Sequence, residues 1–222
     1  MYPEKLVEQC MKRIQPYACE GFVWGKGPEN PTFMLVGEAP GATEIEKGEP
    51  FIGRAGEMLN QFLDHLGITR EEIYITSVVR SRPYKFETKH AKDGTVIQRK
   101  ANRTPNQKEI LAHAPLLDYQ IATIRPKLIV TMGTIALHRL LGKEHQISAD
   151  HGTLLHTSVL KLDSMETNTY SWTDQQYNVF PTYHPASIFY NRKLLGEIYE
   201  DLDKLRPLLH SLHDSAQHMS SK

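Results

Sequence analysis

The chain has 222 residues, with 26 Lys and Arg set against 26 Asp and Glu and a formal net charge of zero. That balance excludes a global electrostatic footprint for nucleic acid or an anionic membrane, so any polyanionic partner has to be met by a local patch. The length suits a single domain over 1–222 that buries a full core without staples, and Cys10 and Cys19 alone build neither a disulfide framework nor a zinc site.

The amino terminus, MYPEKLVEQC, has no signal-peptide core and no membrane span, which reads as a cytoplasmic protein. Leu6, Val7, Met11 and Ile14 recur near helical spacing and predict a helix over 3–14. Phe33 to Val36 is an apolar run ended by Gly37, the pattern of a buried parallel strand handing over to a loop. That loop carries Gly37, Pro40, Gly41, Gly48, Pro50, Gly53 and Gly56, so its backbone turns tightly or approaches something closely. It also holds two acids, Glu38 and Glu44, and an aromatic, Phe51, in polar surroundings. Met58, Leu59, Phe62, Leu63 and Leu66 then mark the buried stripe of a helix capped by Gly67, and 72–79 (EIYITSVV) reads as a second strand.

From Arg80 to Lys108 the composition turns basic, with an insertion at about 83–103 in which Asp93-Gly94 suggests a tight turn and TVIQ the return strand of a hairpin. Thr104, Pro105 and Gln107 fit the start of a helix running to about Ile124. Lys127 to Met132 is a third strand, followed at Gly133-Thr134 by a short helix ending at Gly142. Residues 144–176 are polar and irregular, suiting a loop or a pair of edge strands. Asn178 to Tyr183 is a fourth strand that runs into His184-Pro185-Ala186-Ser187, and a mostly helical stretch follows over 188–212. Four strands separated by helices imply an α/β three-layer sandwich with a central four-stranded parallel sheet flanked by helices. Ligands of such sheets bind beyond the carboxyl ends of the strands, where the Gly37 loop, Ser77, Gly133 and His184 converge.

GEAPG followed by an acid, PFIGRAG, IYITSVV with RP, NRTP, IRPKLIV with MG, and TYHPAS occur in this order over about residues 33 to 190. The series resembles the uracil-DNA glycosylase superfamily, and within it the bacterial and archaeal family 4 enzymes. The resemblance implies a monofunctional DNA repair enzyme that flips deoxyuridine out of DNA and hydrolyses its N-glycosidic bond, acting as a monomer on uracil-containing DNA. It implies Phe51 as the stacking face for the base, His184 as the donor to the departing uracil anion, and Glu38 and Glu44 as the pair that positions water and shapes the pocket, their roles not divided. Gly37, Ala39 and Gly41 would contribute backbone contacts and Ser77 an edge contact, while Arg54, Arg80, Arg82, Arg103 and Ser187 would meet DNA.

Two departures from the family pattern stand out. Ser77 occupies the place of an asparagine whose amide both donates and accepts; a hydroxyl does both with shorter reach, which bears on base selectivity and activity, and water can bridge the gap. The positions of the family's four iron-sulfur cysteines are Cys10, Arg13, Ser81 and His113, so the expectation is no cluster, no metal and no cofactor. The departures also motivate a non-catalytic DNA- or base-binding module and a glycosylase for hypoxanthine or xanthine; a small-nucleotide hydrolase on the same architecture is a further alternative. The remaining histidines, including His90, His113, His145, His151 and His156, lack metal-ligand spacing.

Overall fold

A computed structural model describes residues 2–90 and 95–219, with side chains described over 2–89 and 95–211. The expected Asp93-Gly94 turn lies outside the described residues. Strands β2 (Met34–Gly37), β3 (Tyr74–Ser77), β6 (Ile129–Met132) and β8 (Tyr170–Thr182) pair in parallel, in the order β3-β2-β6-β8. A fifth strand, β7 (Leu155–Leu162), closes the β8 edge antiparallel, so the sheet has five strands rather than the four expected. The reason is local. The β7 sequence LHTSVLKL alternates without an apolar run, because an edge strand covered on one face needs little hydrophobic surface.

Side-chain alternation along β2 separates two helical layers. Phe33 and Leu35 face a core built with α3 (Arg54–Leu66) and α7 (Leu194–Met219), while Met34 and Val36 face α4 (Gln107–Ile124) and α5 (Thr134–Leu141). The stripe read from the sequence, Leu59, Phe62, Leu63 and Leu66, is the buried face of α3, and Gly67 ends that helix in the left-handed conformation. The capping box of α4 is Asn106 with Glu109, two residues later than the expected cap at Thr104. Helix α1 (Glu4–Ile14) packs on α4 through Cys10 and Ile14. The stretch assigned only to loop or edge strands also contains a short helix, α6 (Ile147–Asp150).

The basic insertion forms its own small sheet. Strands β4 (Arg82–His90) and β5 (Val96–Asn102) pair antiparallel, and β1 (Cys19–Glu20) adds to β4. Among the described residues, no helix is long and apolar enough to cross a membrane. A cavity of about 1110 Å³ opens at the other end of the main sheet, against Tyr74 at the start of β3; it is remote from the strand carboxyl ends and is lined by none of the candidate site residues.

Candidate active site

The carboxyl ends of β2, β3, β6 and β8 deliver Gly37, Ser77, Gly133 and His184 to one edge of the sheet. Gly37 and Ser77 are register partners, and the Gly133 amide donates to Thr182 O at 2.8 Å. Gly133 has φ +86, and a Cβ there would come within 3.0 Å of the His184 Cβ. Glycine is needed at this position for its conformation and for the close approach.

Phe51 sits over this edge, its ring centroid 5.6 Å from that of His184 and tilted by 31°. Its φ of 53 is left-handed, a conformation that costs a non-glycine residue on the order of 1–3 kcal/mol and marks functional turns. The surroundings impose it. Arg70 donates to Pro50 O at 2.7 Å, to Phe51 O at 3.0 Å and to Asn60 Oδ1 at 3.1 Å. A Cβ at Gly56 would collide with Phe51 O, and one at Gly37 with the Phe51 ring. The ring therefore lies directly on the Gly37 backbone, held there by a guanidinium that sequence reading missed. The one available signal was the basic side chain just after the Gly67 cap, which pattern alone does not connect to Pro50 and Phe51.

His184 is half-buried at the start of a 3₁₀ turn, Pro185–Phe189. The Ala186 amide donates to its Nδ1 at 3.1 Å, so the neutral ring carries its proton on Nε2. Burial pulls its pKa down to about 4, against a smaller upward pull from the Glu44 carboxylate, and the imidazole is neutral at pH 7.

The two acids sit differently. Glu44 accepts from the amides of Gly41 at 3.1 Å, Ile52 at 3.2 Å and Gly53 at 2.9 Å, pinning the two ends of the glycine-rich loop together. The Gly41 N–H is thereby committed to Glu44. Glu38 has its carboxyl pKa raised by burial, partly offset by a hydrogen bond from the Thr104 side chain. Ala39 packs beside the α4 and α5 core. Buried Ser77 Oγ donates to Val79 O at 2.8 Å, so its proton is used within the strand end and only its lone pairs are left to accept.

Several expected DNA contacts are corrected. Arg80 is 1% exposed and its guanidinium is spent on Thr76 Oγ1 and Gln120 Oε1 in the interior. Arg82 is buried against Glu20, Asn102 and Lys100 O. Arg103 pairs with Glu109 through both terminal nitrogens and donates from Nε to Tyr84 O at 2.9 Å. Ser187 gives both its hydroxyl and its amide to His184 O. The three arginines meet acceptors of the protein because the basic segment folds back onto β1 and α4, whereas Ser187 is used within its own 3₁₀ turn. Arg54 is exposed, with its guanidinium carbon 4.1 Å from the Phe189 ring centroid.

A family model for the uracil-DNA glycosylase superfamily matches residues 24–203. The chain belongs to the uracil-DNA glycosylase superfamily. It is 34% identical over 187 residues to a type-4 uracil-DNA glycosylase of Sulfurisphaera tokodaii, covering 83% of this chain and 73% of that protein. It is 32% identical to a type-4 enzyme of Thermotoga maritima, covering 93% and 96% of the two chains, and 32% identical to one of Pyrobaculum aerophilum, covering 89% and 88%.

These superfamily relatives overturn the expectation of a chain without a cofactor, since the type-4 subfamily is iron-sulfur-dependent. The side chains at the corresponding positions do not make a four-thiolate set. Cys10 is buried between α1 and α4. Arg13 donates to Met165 O, Leu111 O and Asn168 Oδ1. Buried His113 bonds Glu109 O through Nδ1 at 2.8 Å, leaving Nε2 to meet Ser81 Oγ at 3.2 Å. Among the described residues no group of three or more His, Cys, Asp or Glu is arranged to hold a metal ion.

Proposed function

We propose that the chain is a monofunctional glycosylase that extrudes deoxyuridine from DNA and hydrolyses its N-glycosidic bond, releasing uracil and leaving an abasic site. The observation that carries this reading is a neutral imidazole with its proton on Nε2, set 5.6 Å from a phenyl ring held in a strained turn, in a chain of this superfamily. Unstacking a base costs a few kcal/mol, which a stacking face and edge bonds must return. Phe51 supplies the face. As the bond breaks, negative charge gathers on the uracil oxygens, and a fixed N–H donor lowers the barrier more than a strong nucleophile would. His184 Nε2–H is that donor.

The roles of the acids divide on their surroundings. Glu38, with its raised carboxyl, is assigned to the attacking water and the sugar cation, while Glu44, bound to three loop amides, is assigned to holding the loop closed under Phe51. Ser77, used as a donor to Val79 O, is left to accept the N3–H of uracil. An acceptor there disfavours cytosine, whose N3 carries a lone pair. Arg54 is assigned to the phosphate backbone. The test is release of uracil from a uracil-containing oligonucleotide; no abasic product from the wild type defeats the reading. Acceptor-only Ser77 also favours a second reading, a glycosylase for hypoxanthine or xanthine, whose edges likewise present an N–H. It is separated by a panel of damaged-base substrates.

A further inference from the structure

The β4–β5 hairpin spans the stretch between the RP motif at Arg82-Pro83 and the NRTP motif that begins at Asn102, and its root is built into the site. Asn102, at the end of β5, has its Nδ2 3.1 Å from where a Gly41 Cβ would stand and its Oδ1 2.6 Å from Arg82 Nε. Two residues on, the Thr104 side chain is hydrogen-bonded to Glu38. One face of the hairpin therefore continues outward from the glycine-rich loop.

Cross-strand partners share a face, so Tyr84 with Asn102, Phe86 with Lys100 and Thr88 with Gln98 form successive rungs of it. Lys100 Nζ lies 4.4 Å from the Tyr84 ring centroid, and the Tyr84 and Phe86 rings meet edge to face at 5.6 Å. Phe86 is 64% exposed. The cation on this face is Lys100, which also pairs with Glu20; Lys85, Lys89 and Arg99 occupy the alternate positions and face the other side of the hairpin, and the guanidinium of Arg82 is buried against Glu20. An exposed phenyl ring beside a tyrosine ring covered by a lysine supplies the stacking face and the cation that single-strand binding surfaces combine. Tyr84 and Phe86 are about 7 Å apart along the strand, matching roughly two nucleotides of a stacked strand.

We propose that this face is a stacking platform for the single-stranded DNA flanking the extruded nucleotide, with an unpaired base lying on Phe86. The proposal rests on the glycosylase reading for the position of that nucleotide. A paired duplex hides its base faces and can offer the hairpin only phosphates, so the platform selects unpaired strand.

The experiment compares affinities, by fluorescence anisotropy, for a uracil-free single strand of about 20 nucleotides, long enough to span the platform, and for the duplex of the same sequence. Phe86→Ala is expected to lower the single-strand to duplex affinity ratio about tenfold, the loss of one stacked base, and Phe86→Trp to keep the ratio and show quenched indole emission on adding the strand. An unchanged ratio in Phe86→Ala, or no quenching in a Phe86→Trp protein that binds, overturns the platform. Because the ligand carries no uracil, this outcome is independent of glycosylase activity: absence of uracil release by the wild type would defeat the proposed function and leave the affinity ratio to decide the hairpin.

Discussion

Replacing His184 with alanine removes the one neutral N–H donor that the 3₁₀ turn orients. The magnitude follows from the geometry: Nδ1 is occupied by the Ala186 amide at 3.1 Å, so Nε2 carries the proton, and burial holds the pKa at about 4. The donor form is thus fully populated at every pH above about 5. Loss of one preorganised donor to a developing anion costs about 10²–10³ in rate, or roughly 2.7–4 kcal/mol. Single-turnover uracil release from a single-stranded oligonucleotide, followed from pH 5 to 9, is expected to fall by that factor in His184→Ala across the whole range. The wild-type profile should show no inflection near 6.5, the ordinary histidine value. ¹⁵N NMR of the ring should report a neutral imidazole protonated at Nε2 at pH 7. An inflection between pH 6 and 7 that disappears in His184→Ala, a proton on Nδ1, or an alanine variant within threefold of wild type would refute the reasoning.

Arg70→Ala removes two bonds to carbonyls on the Phe51 turn and should cost about 2 kcal/mol of stability, a melting shift of about 4–8 °C, with a further loss of rate as Phe51 relaxes; unchanged melting and rate would show that the turn holds itself. Glu38→Gln should lower uracil release by about 10²–10⁴ and abolish the acid limb of the profile, which in the wild type lies at higher pH than for an ordinary carboxylate because Glu38 is raised and loses its basic form as pH falls. Glu44→Gln should instead appear mainly as a loss of about 2 kcal/mol of stability, read as a lower melting temperature, since its carboxylate holds three backbone amides. Ser77→Asn adds a donor for the uracil carbonyl and should raise uracil release about five- to tenfold, the value of one neutral hydrogen bond, measured as kcat/KM against a hypoxanthine substrate. His113 and His184 are both held neutral with pKa values near 4, while the unfolded chain protonates them near 6.5. Stability is therefore expected to be complete above about pH 6.5 and to decline between 6.5 and 4, checked by urea titrations at each pH.

Local sequence determined much of the architecture. An apolar run cut by Gly37, the helical stripe ending at Gly67 and the strand running into His184 are decided by hydrophobic period and by glycine and proline, and these act over a few residues. The convergence of Gly37, Ser77, Gly133 and His184 followed, because parallel strands send their carboxyl ends to one edge. What only the tertiary structure decided was the use of each polar group. Arg80, Arg82 and Arg103 read as a basic patch, yet a guanidinium reaches several ångströms, and whether it meets a phosphate or an interior acceptor such as Gln120 or Glu109 depends on chain segments remote in sequence. The same holds for Arg70, which fixes Phe51 from 19 residues away, and for the separation of Glu38 from Glu44. Their electrostatic settings come from burial and from Thr104, Ile52 and Gly53 rather than from the six-residue spacing between them. The sequence leaves the antiparallel edge β7 open between loop and edge strand for a related reason: its pairing with β8 is a contact between strands, and its own residues carry too little hydrophobic pattern to decide it.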